Sequence, residues 1–173
     1  MKPIIIYLSK TGFTERYAEW LSEALNCPMV PYEKHKTIDL SSYDTILYGG
    51  GIHAGMIQGI KWFKQQIPSL AGKKLVVFAT GASPAGLSAT VESLKQNFTA
   101  EENALVKVFY LEGGLNYDKM SAPNRLLMKM MSKMLSSKKD KTAEERGMAE
   151  ALSTSFDHCE KENIQGILDF VNS

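Results

Sequence analysis

The sequence predicts an α/β protein in which helices cover both faces of a doubly wound, parallel β-sheet. Four short runs are rich in β-branched or aromatic residues and apolar on both faces, which is typical of strands buried between helix layers. These runs span residues 3–8, 45–48, 74–79 and 105–111. Apolar residues at helical spacing fill the segments between them. Strand and helix therefore alternate along the chain, which is the pattern of a parallel sheet.

The remaining elements follow from the same periodicities. Residues 29–32 are a weaker strand candidate, and Pro28 and Pro31 place it at an edge of the sheet. The helical patterns lie at residues 14–25, 57–67, 87–98 and 164–171. We therefore expect one domain over residues 1–173 that contains five strands.

Composition narrows the class of protein. The chain has 173 residues, of which 44% are hydrophobic and 23% charged, as in an ordinary globular domain. Its 20 Lys and Arg against 19 Asp and Glu give a net charge of +1, which favours neither a nucleic-acid partner nor a strongly acidic electron carrier. No apolar stretch approaches the roughly 20 residues of a membrane span and no signal-peptide pattern opens the chain, so we expect a cytoplasmic protein.

Cysteines and histidines give no sign of a metal site. Cys27 and Cys159 stand alone in the sequence, and the three histidines show no ligand spacing. We expect both cysteines to be reduced, as in most chains of a reducing compartment.

One segment interrupts the alternation of strands and helices. Residues 116–150 are too many for a loop between a strand and a helix, so we expect a helical insertion after the last strand. Pro123 can open a helix here. One face of that helix would be apolar, and it comprises Leu126, Leu127, Met130, Met131, Met134 and Leu135. A neighbouring stripe is basic and comprises Arg125, Lys129 and Lys133.

The segment after the first strand has the chemistry of a phosphate site. In an open parallel sheet, ligands bind beyond the carboxyl ends of the strands. Ser9, Thr11 and Thr14 supply three hydroxyls there, and Gly12 allows close approach of the backbone. The N-terminus of the following helix favours negative charge. The alternative is a plain helix cap by Thr11 or Thr14.

The run Ser9-x-Thr11-Gly12-x-Thr14 resembles the FMN-phosphate loop of the flavodoxin family, in position as well as in letters. The order of strands and helices is similar along nearly the whole chain. The resemblance implies a flavodoxin-like fold with strand order 2-1-3-4-5 and FMN as the cofactor. The phosphate loop would comprise Ser9, Lys10, Thr11, Gly12, Phe13 and Thr14.

Two further segments would flank the flavin ring in a flavodoxin-like protein. The first follows the strand at 45–48 and comprises Gly50, Gly51, Ile52, His53, Ala54 and Gly55. The second follows the strand at 74–79 and comprises Thr80, Gly81, Ala82 and Ser83. The alternatives are a solvent-exposed loop histidine at His53 and a simple turn after Thr80.

Other motifs in these segments are incomplete. Gly49-x-Gly51-x-x-Ala54 matches the letters of a dinucleotide fingerprint, but it does not follow the first strand and Lys74 stands where an acidic residue belongs. Gly81-x-Ser83-x-Ala85 lacks the final glycine of a nucleophile elbow. We identify no acid–base catalyst from the sequence.

The insertion resembles that of the menaquinone-dependent protoporphyrinogen dehydrogenase family. The resemblance lies in the Gly-Gly-Leu-Asn-Tyr run at 113–117 and in the Met- and Lys-rich helix that follows. It implies an FMN enzyme that oxidises a porphyrinogen and passes electrons to a quinone. Tyr117 would cover the flavin or a substrate, or would pack under the following helix.

Three functions remain open at this level. The chain is an electron carrier that docks on a redox partner, an FMN-dependent oxidoreductase of the porphyrinogen dehydrogenase or quinone reductase type, or a fold relative without FMN that acts as a binding module. The Met-rich face suits a flat apolar ligand or a partner protein. The basic amphipathic helix over residues 122–141 also suits peripheral contact with an anionic membrane. The remaining alternative is a helix that packs on its own domain with its lysines solvated.

Overall fold

The computed structural model describes residues 1–140 and 142–173, and of residues 89, 91, 143–145 and 148 it describes only the backbone. The strands of its main sheet are β1 (Pro3–Leu8), β2 (Met29–Pro31), β3 (Thr45–His53), β4 (Met56–Ile57), β5 (Lys74–Gly81) and β6 (Val106–Glu112). Their order is β2-β1-β3-β5-β6, all parallel, with β4 antiparallel to the end of β3. The predicted fold class is confirmed, and the five parallel strands follow the predicted order 2-1-3-4-5.

Helices cover both faces of this sheet. They are α1 (Phe13–Leu25), α2 (Ile60–Gln66), α3 (Ser88–Lys95), α4 (Ala100–Leu105) and, near the end of the chain, α7 (Gln165–Asn172). Short 3₁₀ helices occur at Tyr32–Thr37, Leu40–Ser42, Ile67–Leu70 and Lys161–Ile164.

Alternate residues of each strand fill two separate cores, as expected for strands with a period of two. On one face, Ile4 and Ile6 pack with Phe63 of α2. On the other face, Ile5 packs with Tyr17 of α1 and with side chains of α7. These side chains are almost fully buried, so the sheet is a rigid platform that fixes where each strand ends.

The ends of β3 and β5 differ from the prediction. We expected β3 to end at residue 48 and β5 at residue 79, with glycine loops beyond. Both strands run on because pairing continues, with Leu8 opposite Gly50 and Gly51 opposite Thr80. Gly50 suits this strand because a Cβ there would lie 2.7 Å from the carbonyl oxygen of Gln58. Gly50 to His53 and Thr80 to Gly81 are therefore strand residues rather than loop residues.

The hydrophobic periodicity of the sequence does not predict helix α4, because six residues are too few to show a helical pattern. Its start is nevertheless encoded locally. The Thr99 hydroxyl accepts from the Glu102 N–H, and the Glu102 carboxylate accepts from the Thr99 N–H, which is a capping box.

The chain divides into two units, residues 1–113 with 159–173 and residues 114–158. The second contains the predicted insertion at 116–150, while a single domain over 1–173 stays a prediction. Its elements are β7 (Gly114–Leu115), α5 (Ala122–Ser137), α6 (Ala143–Ala151) and β8 (Phe156–Asp157). Strands β7 and β8 pair antiparallel and so close the unit at its two chain ends.

Helix α5 is shorter than predicted. It starts with Pro123 in its first turn, as expected, and ends at Ser137 rather than continuing to 141. The Ser137 hydroxyl donates to the Lys133 carbonyl, and Lys138 is extended. Lys141 lies outside the described residues. Among the residues that the structure does describe, no helix has both the length and the apolar character that a membrane crossing requires.

Candidate functional site

The segment between β1 and α1 forms a tight turn at the N-terminus of the helix. Gly12 precedes α1 in a left-handed conformation with φ of 99°, which a residue with a Cβ adopts only at a cost. Its N–H donates to the Ser9 hydroxyl over 3.2 Å. The N-cap residue Gly12 has no side chain to cap α1, so it leaves the N–H groups of the first turn for another acceptor. Ser9, Thr11 and Gly12 are half-buried, and Lys10 is exposed.

Two buried threonines join this turn to the end of β5. The Thr14 and Thr80 hydroxyl oxygens lie 2.6 Å apart, and either can donate. Thr14 is 3% exposed and Thr80 is 4% exposed. Strand β3 lies between β1 and β5, and a Cβ on its Gly51 would sit 3.7 Å from Thr14 Oγ1 and 3.8 Å from Thr80 Oγ1. Residues from all three predicted segments therefore meet at Gly51.

Gln58 also lies beside Gly51, a position that the sequence does not predict. Its N–H donates to the Gly51 carbonyl over 2.9 Å, and its side-chain oxygen lies 3.7 Å from the position of a Cβ on Gly51. The Tyr48 hydroxyl donates to the Gln58 carbonyl over 2.7 Å. Burial keeps the pKa of Tyr48 above its ordinary value. The only local signal for Gln58 is its place just after the glycine-rich strand.

The end of β3 turns back as a hairpin. Ile52 and His53 pair with Ile57 and Met56 of β4, and between them Ala54 and Gly55 both have positive φ, at 48° and 81°. Two such residues make the tight turn whose twist matches a hairpin. His53 and Ala54 are exposed, in agreement with the alternative of a solvent-exposed histidine.

The hairpin is held from the α3 side. The Gly55 carbonyl accepts from the Ser93 hydroxyl over 3.1 Å and from the Asn97 amide over 3.0 Å. The Asn97 side-chain oxygen accepts from the Ile57 N–H over 2.8 Å. Asn97 is 2% exposed, so these bonds are shielded from water. The hairpin tip is thus held by Ser93 of α3 and by Asn97, which follows that helix.

The segment after β5 is held by side chains of β6. The Tyr110 hydroxyl donates to the Ser83 carbonyl over 2.5 Å, and the Glu112 carboxylate accepts from the Ala85 N–H over 2.6 Å. Burial, with the nearby charge of Glu112, raises the pKa of Tyr110. Gly81 and Ala82 are half-buried, and Ser83 is exposed. Two anchors make this segment more than a simple turn.

Tyr17 ties the end of β6 to α1, a role that the sequence did not reveal. Its hydroxyl donates to the Glu112 carbonyl over 2.6 Å and accepts from the Asn163 amide over 3.1 Å. Burial raises the pKa of Tyr17 and outweighs the hydrogen bonds that its hydroxyl accepts from the Asn163 amide and the Glu160 N–H. The Gly113 N–H donates to the Gly81 carbonyl over 2.7 Å. The carboxyl ends of β5 and β6 are thereby locked together.

Tyr117 packs within the 114–158 unit. Its hydroxyl donates to the Leu152 carbonyl over 2.5 Å, and its N–H donates to the Ser155 hydroxyl over 3.0 Å. These bonds hold Tyr117 against the segment that follows α6. Its two predicted roles, covering the flavin or a substrate and packing under the following helix, stay predictions. In the described part of the chain, no group of three or more His, Cys, Asp or Glu side chains could hold a metal ion.

Comparisons with known proteins agree with this architecture. The model of a family described as flavodoxin domain matches residues 4–142. The chain therefore belongs to the flavodoxin domain family, whose cofactor is FMN, as predicted. A comparison with curated proteins gave no match.

Several solved structures are similar to this chain. A flavoprotein in complex with FMN from Lactobacillus acidophilus NCFM is 19% identical, with 64% of this chain and 91% of that chain covered and a TM-score of 0.46. A flavodoxin, WrbA-like protein from Agrobacterium tumefaciens is 17% identical, with 71% and 87% covered and a TM-score of 0.41. The Trp repressor binding protein from Bacillus subtilis is 15% identical, with 65% and 85% covered and a TM-score of 0.46.

The residues at the carboxyl edge fit the needs of FMN. The β1–α1 turn offers two half-buried hydroxyls and a helix N-terminus, which suit a phosphate group. The ends of β3 and β5 bring the half-buried backbone of Gly51 and Gly81 beside that turn. The donor set is that of an anion site and contains no ligand set for a metal.

Proposed function

We propose that this protein binds FMN at the carboxyl edge of β1, β3 and β5 and transfers electrons through the bound flavin. The observation that carries the proposal is the meeting of Thr14, Thr80 and Gly51, which brings the β1–α1 turn beside the ends of both neighbouring strands. FMN has a phosphate at one end and a flat ring at the other. It therefore needs one segment for the phosphate and neighbouring segments for the ring.

The residues divide between two tasks in this proposal. The phosphate would be held by the hydroxyls of Ser9 and Thr11 and by N–H groups of the first turn of α1. The ring would lie between residues 50–55 and residues 80–83, and Gln58 would support the first of these segments through Gly51. Bound flavin supplies one- and two-electron redox chemistry, while the chain binds it, orients it and limits its contact with water.

Three tyrosines around the site act as structural hydrogen-bond donors and not as bases. The pKa values of Tyr17, Tyr48 and Tyr110 are all raised by burial. These tyrosines therefore stay protonated at neutral pH, and each hydroxyl donates to a backbone carbonyl of the site. A group that is protonated and already donating holds structure and does not take a proton from a substrate.

A flavoenzyme of the protoporphyrinogen dehydrogenase or quinone reductase type is the second candidate. The observation in its favour is the extra unit at 114–158, which a simple electron carrier does not need. Helix α5 of this unit exposes Met130 and Met134, and methionine surfaces adapt to flat apolar ligands. An enzyme would use such a surface to hold a porphyrinogen or a quinone.

A deletion separates the two functions. Because Leu115 lies opposite Phe156 in an antiparallel pair, an Asn-Gly turn can replace residues 116–155 and join β7 to β8 as a hairpin. FMN-loaded protein, photoreduced with EDTA as the electron donor, is mixed with ferricyanide, and turnover is measured with a porphyrinogen and a soluble menaquinone analogue. If the protein is a carrier, the full-length chain shows no turnover of the porphyrinogen. Its rate of electron transfer to ferricyanide is then the same before and after the deletion.

If the protein is an enzyme, the full-length chain turns over the porphyrinogen and the deletion abolishes this turnover. Electron transfer to ferricyanide then persists in both proteins. Asp118→Asn, an exposed change within the replaced segment, is the matched control and should leave both rates unchanged. A full-length protein whose bound FMN is neither reduced by light nor reoxidised by ferricyanide would contradict both functions.

A further inference from the structure

Helix α5 carries an exposed apolar stripe that consists of Leu126, Leu127, Met130 and Met134. These side chains are between 43% and 67% exposed. Of the seven large hydrophobic side chains that are exposed among the described residues, four belong to this stripe. Residues 126, 130 and 134 follow one another at intervals of four, so they line up along one side of the helix. Single exposed apolar residues are ordinary, but a continuous row marks an interaction surface.

The surroundings of the stripe are basic. Residues 119–139 contain six Lys and Arg and no Asp or Glu, although the whole chain has a net charge of only +1. Lys129 and Lys133 follow Leu126 and Met130 at intervals of three, so they flank the stripe on one side. The positive charge is therefore local to this helix.

Another side of α5 is already occupied within its own unit. The Ser132 hydroxyl donates to the Ala149 carbonyl of α6 over 2.9 Å, and Ala149 is 7% exposed. Met131 and Leu135 are partly buried, whereas the expectation from sequence placed them on the same face as the stripe. The helix thus has a packed side, an exposed apolar side and a basic margin.

We propose that α5 docks on the surface of an anionic lipid bilayer, with the stripe in the headgroup region and the lysines at the phosphates. Helices that lie in a membrane interface combine an exposed apolar face with flanking lysines, whose long stems let the ammonium groups reach the lipid phosphates. A bilayer needs no shape complementarity from the stripe. Hot spots of protein interfaces are enriched in Trp, Tyr and Arg, whereas the stripe consists only of Leu and Met.

This proposal goes beyond the flavin chemistry. Membrane docking depends on residues of α5, and FMN binding depends on residues 9–14, 50–55 and 80–83. Either property can therefore fail alone. If both hold, the flavoprotein works beside the bilayer, where apolar electron acceptors concentrate.

The test is co-sedimentation of the full-length protein with two kinds of vesicle, phosphatidylcholine alone and phosphatidylcholine mixed three to one with phosphatidylglycerol. We expect binding to the mixed vesicles at least about tenfold tighter than to the neutral ones, since each lysine near such a surface contributes about 1 kcal/mol. Salt at about 0.5 M should remove most of this difference, because it screens the attraction between the lysines and the lipid phosphates. Equal binding to both vesicles, or binding to neither, overturns the proposal.

Variants assign the binding to the stripe and its lysines. Met130→Asp with Met134→Asp should abolish binding, and Lys129→Gln with Lys133→Gln should weaken it about thirtyfold. The matched control for the first pair is Met56→Asp, a change at a methionine that is 52% exposed outside this unit. For the second pair the control is Lys34→Gln with Lys36→Gln, two exposed lysines of the other unit. Both controls should bind as the wild type does.

Circular dichroism and the absorption spectrum of bound FMN report whether each variant is folded. A stripe variant that is folded and still binds mixed vesicles overturns the proposal.

The stripe could instead be covered by a second copy of the chain, and light scattering tests this alternative. The membrane proposal is also overturned if the wild type is a dimer, the stripe substitutions make it a monomer, and no vesicle binding is seen. Loss of FMN binding with vesicle binding intact supports the docking surface and contradicts only the proposed function.

Discussion

The hydroxyl oxygens of Thr14 and Thr80 lie 2.6 Å apart, and this hydrogen bond joins the first turn of α1 to the end of β5. The two residues are 66 positions apart in sequence, and both are buried. The bond passes in front of Gly51, so no side chain of β3 separates the two threonines. It fixes the distance between the segment proposed to hold the phosphate and a segment proposed to hold the ring.

Replacing either threonine with valine should destabilise the fold. Each single change leaves one buried hydroxyl without this partner, which costs about 1–3 kcal/mol. The double variant leaves neither hydroxyl, so its loss should be smaller than the sum of the two single losses. Urea unfolding of the four proteins measures the coupling. Thr37→Val, at an exposed hydroxyl that donates to the Lys34 carbonyl, is the control and should cost little. Additive losses would show that the two hydroxyls do not interact.

Asn97→Ala should loosen the β3–β4 hairpin. The change removes the acceptor of the Ile57 N–H and a donor to the Gly55 carbonyl, so we expect a loss of about 2–3 kcal/mol in the free energy of unfolding. Hydrogen exchange should report faster exchange at Ile57. The control is Asn116→Ala, because Asn116 accepts only an exposed hydrogen bond from the Lys119 N–H. Unchanged exchange at Ile57 would contradict the role given to Asn97.

The Cys27 thiol should make the protein less stable in alkali. Burial raises its pKa from 9.0 to about 11. The unfolded chain loses this proton at lower pH than the folded chain, so the contribution is fully present below pH 9 and is lost as the pH rises towards 11. The slope reaches at most about 1.4 kcal/mol per pH unit. Urea unfolding of wild type and Cys27→Ala should show their difference shrinking over that range, and a constant difference would contradict the shift.

Much of the fold follows from local pattern. The run at 3–8 is apolar on both faces and forms β1, and the two prolines near 29–32 restrict β2 to three residues at the edge. The turn at 9–14 could be located because a strand, a glycine and hydroxyl residues follow one another within a single short segment. These strands and this turn depend on residues that are neighbours in the sequence, so the local pattern predicts them.

The rest depends on contacts between distant residues. Nothing near Gly50 predicts a strand, and it is one because β1 supplies a partner on one side and β5 extends the sheet on the other. Tyr17 looks like an ordinary core residue of a helix, yet its hydroxyl meets the Glu112 carbonyl, 95 positions away. Gln58 and Asn97 gain their roles in the same way. Local sequence carries no signal for such contacts.

Titration of the purified protein with FMN, followed by flavin fluorescence, shows directly whether the turn at residues 9–14 holds the cofactor. Wild type should bind FMN, and Gly12→Ala should bind at least about tenfold more weakly, because a Cβ disfavours the left-handed backbone of the phosphate turn. Gly72→Ala is the matched control, since Gly72 has a φ of 80° with no atom near its Cβ position and lies outside the site. We predict that the control is destabilised but binds FMN normally. A wild-type protein that does not bind FMN, or two variants with equal affinity, would contradict the account.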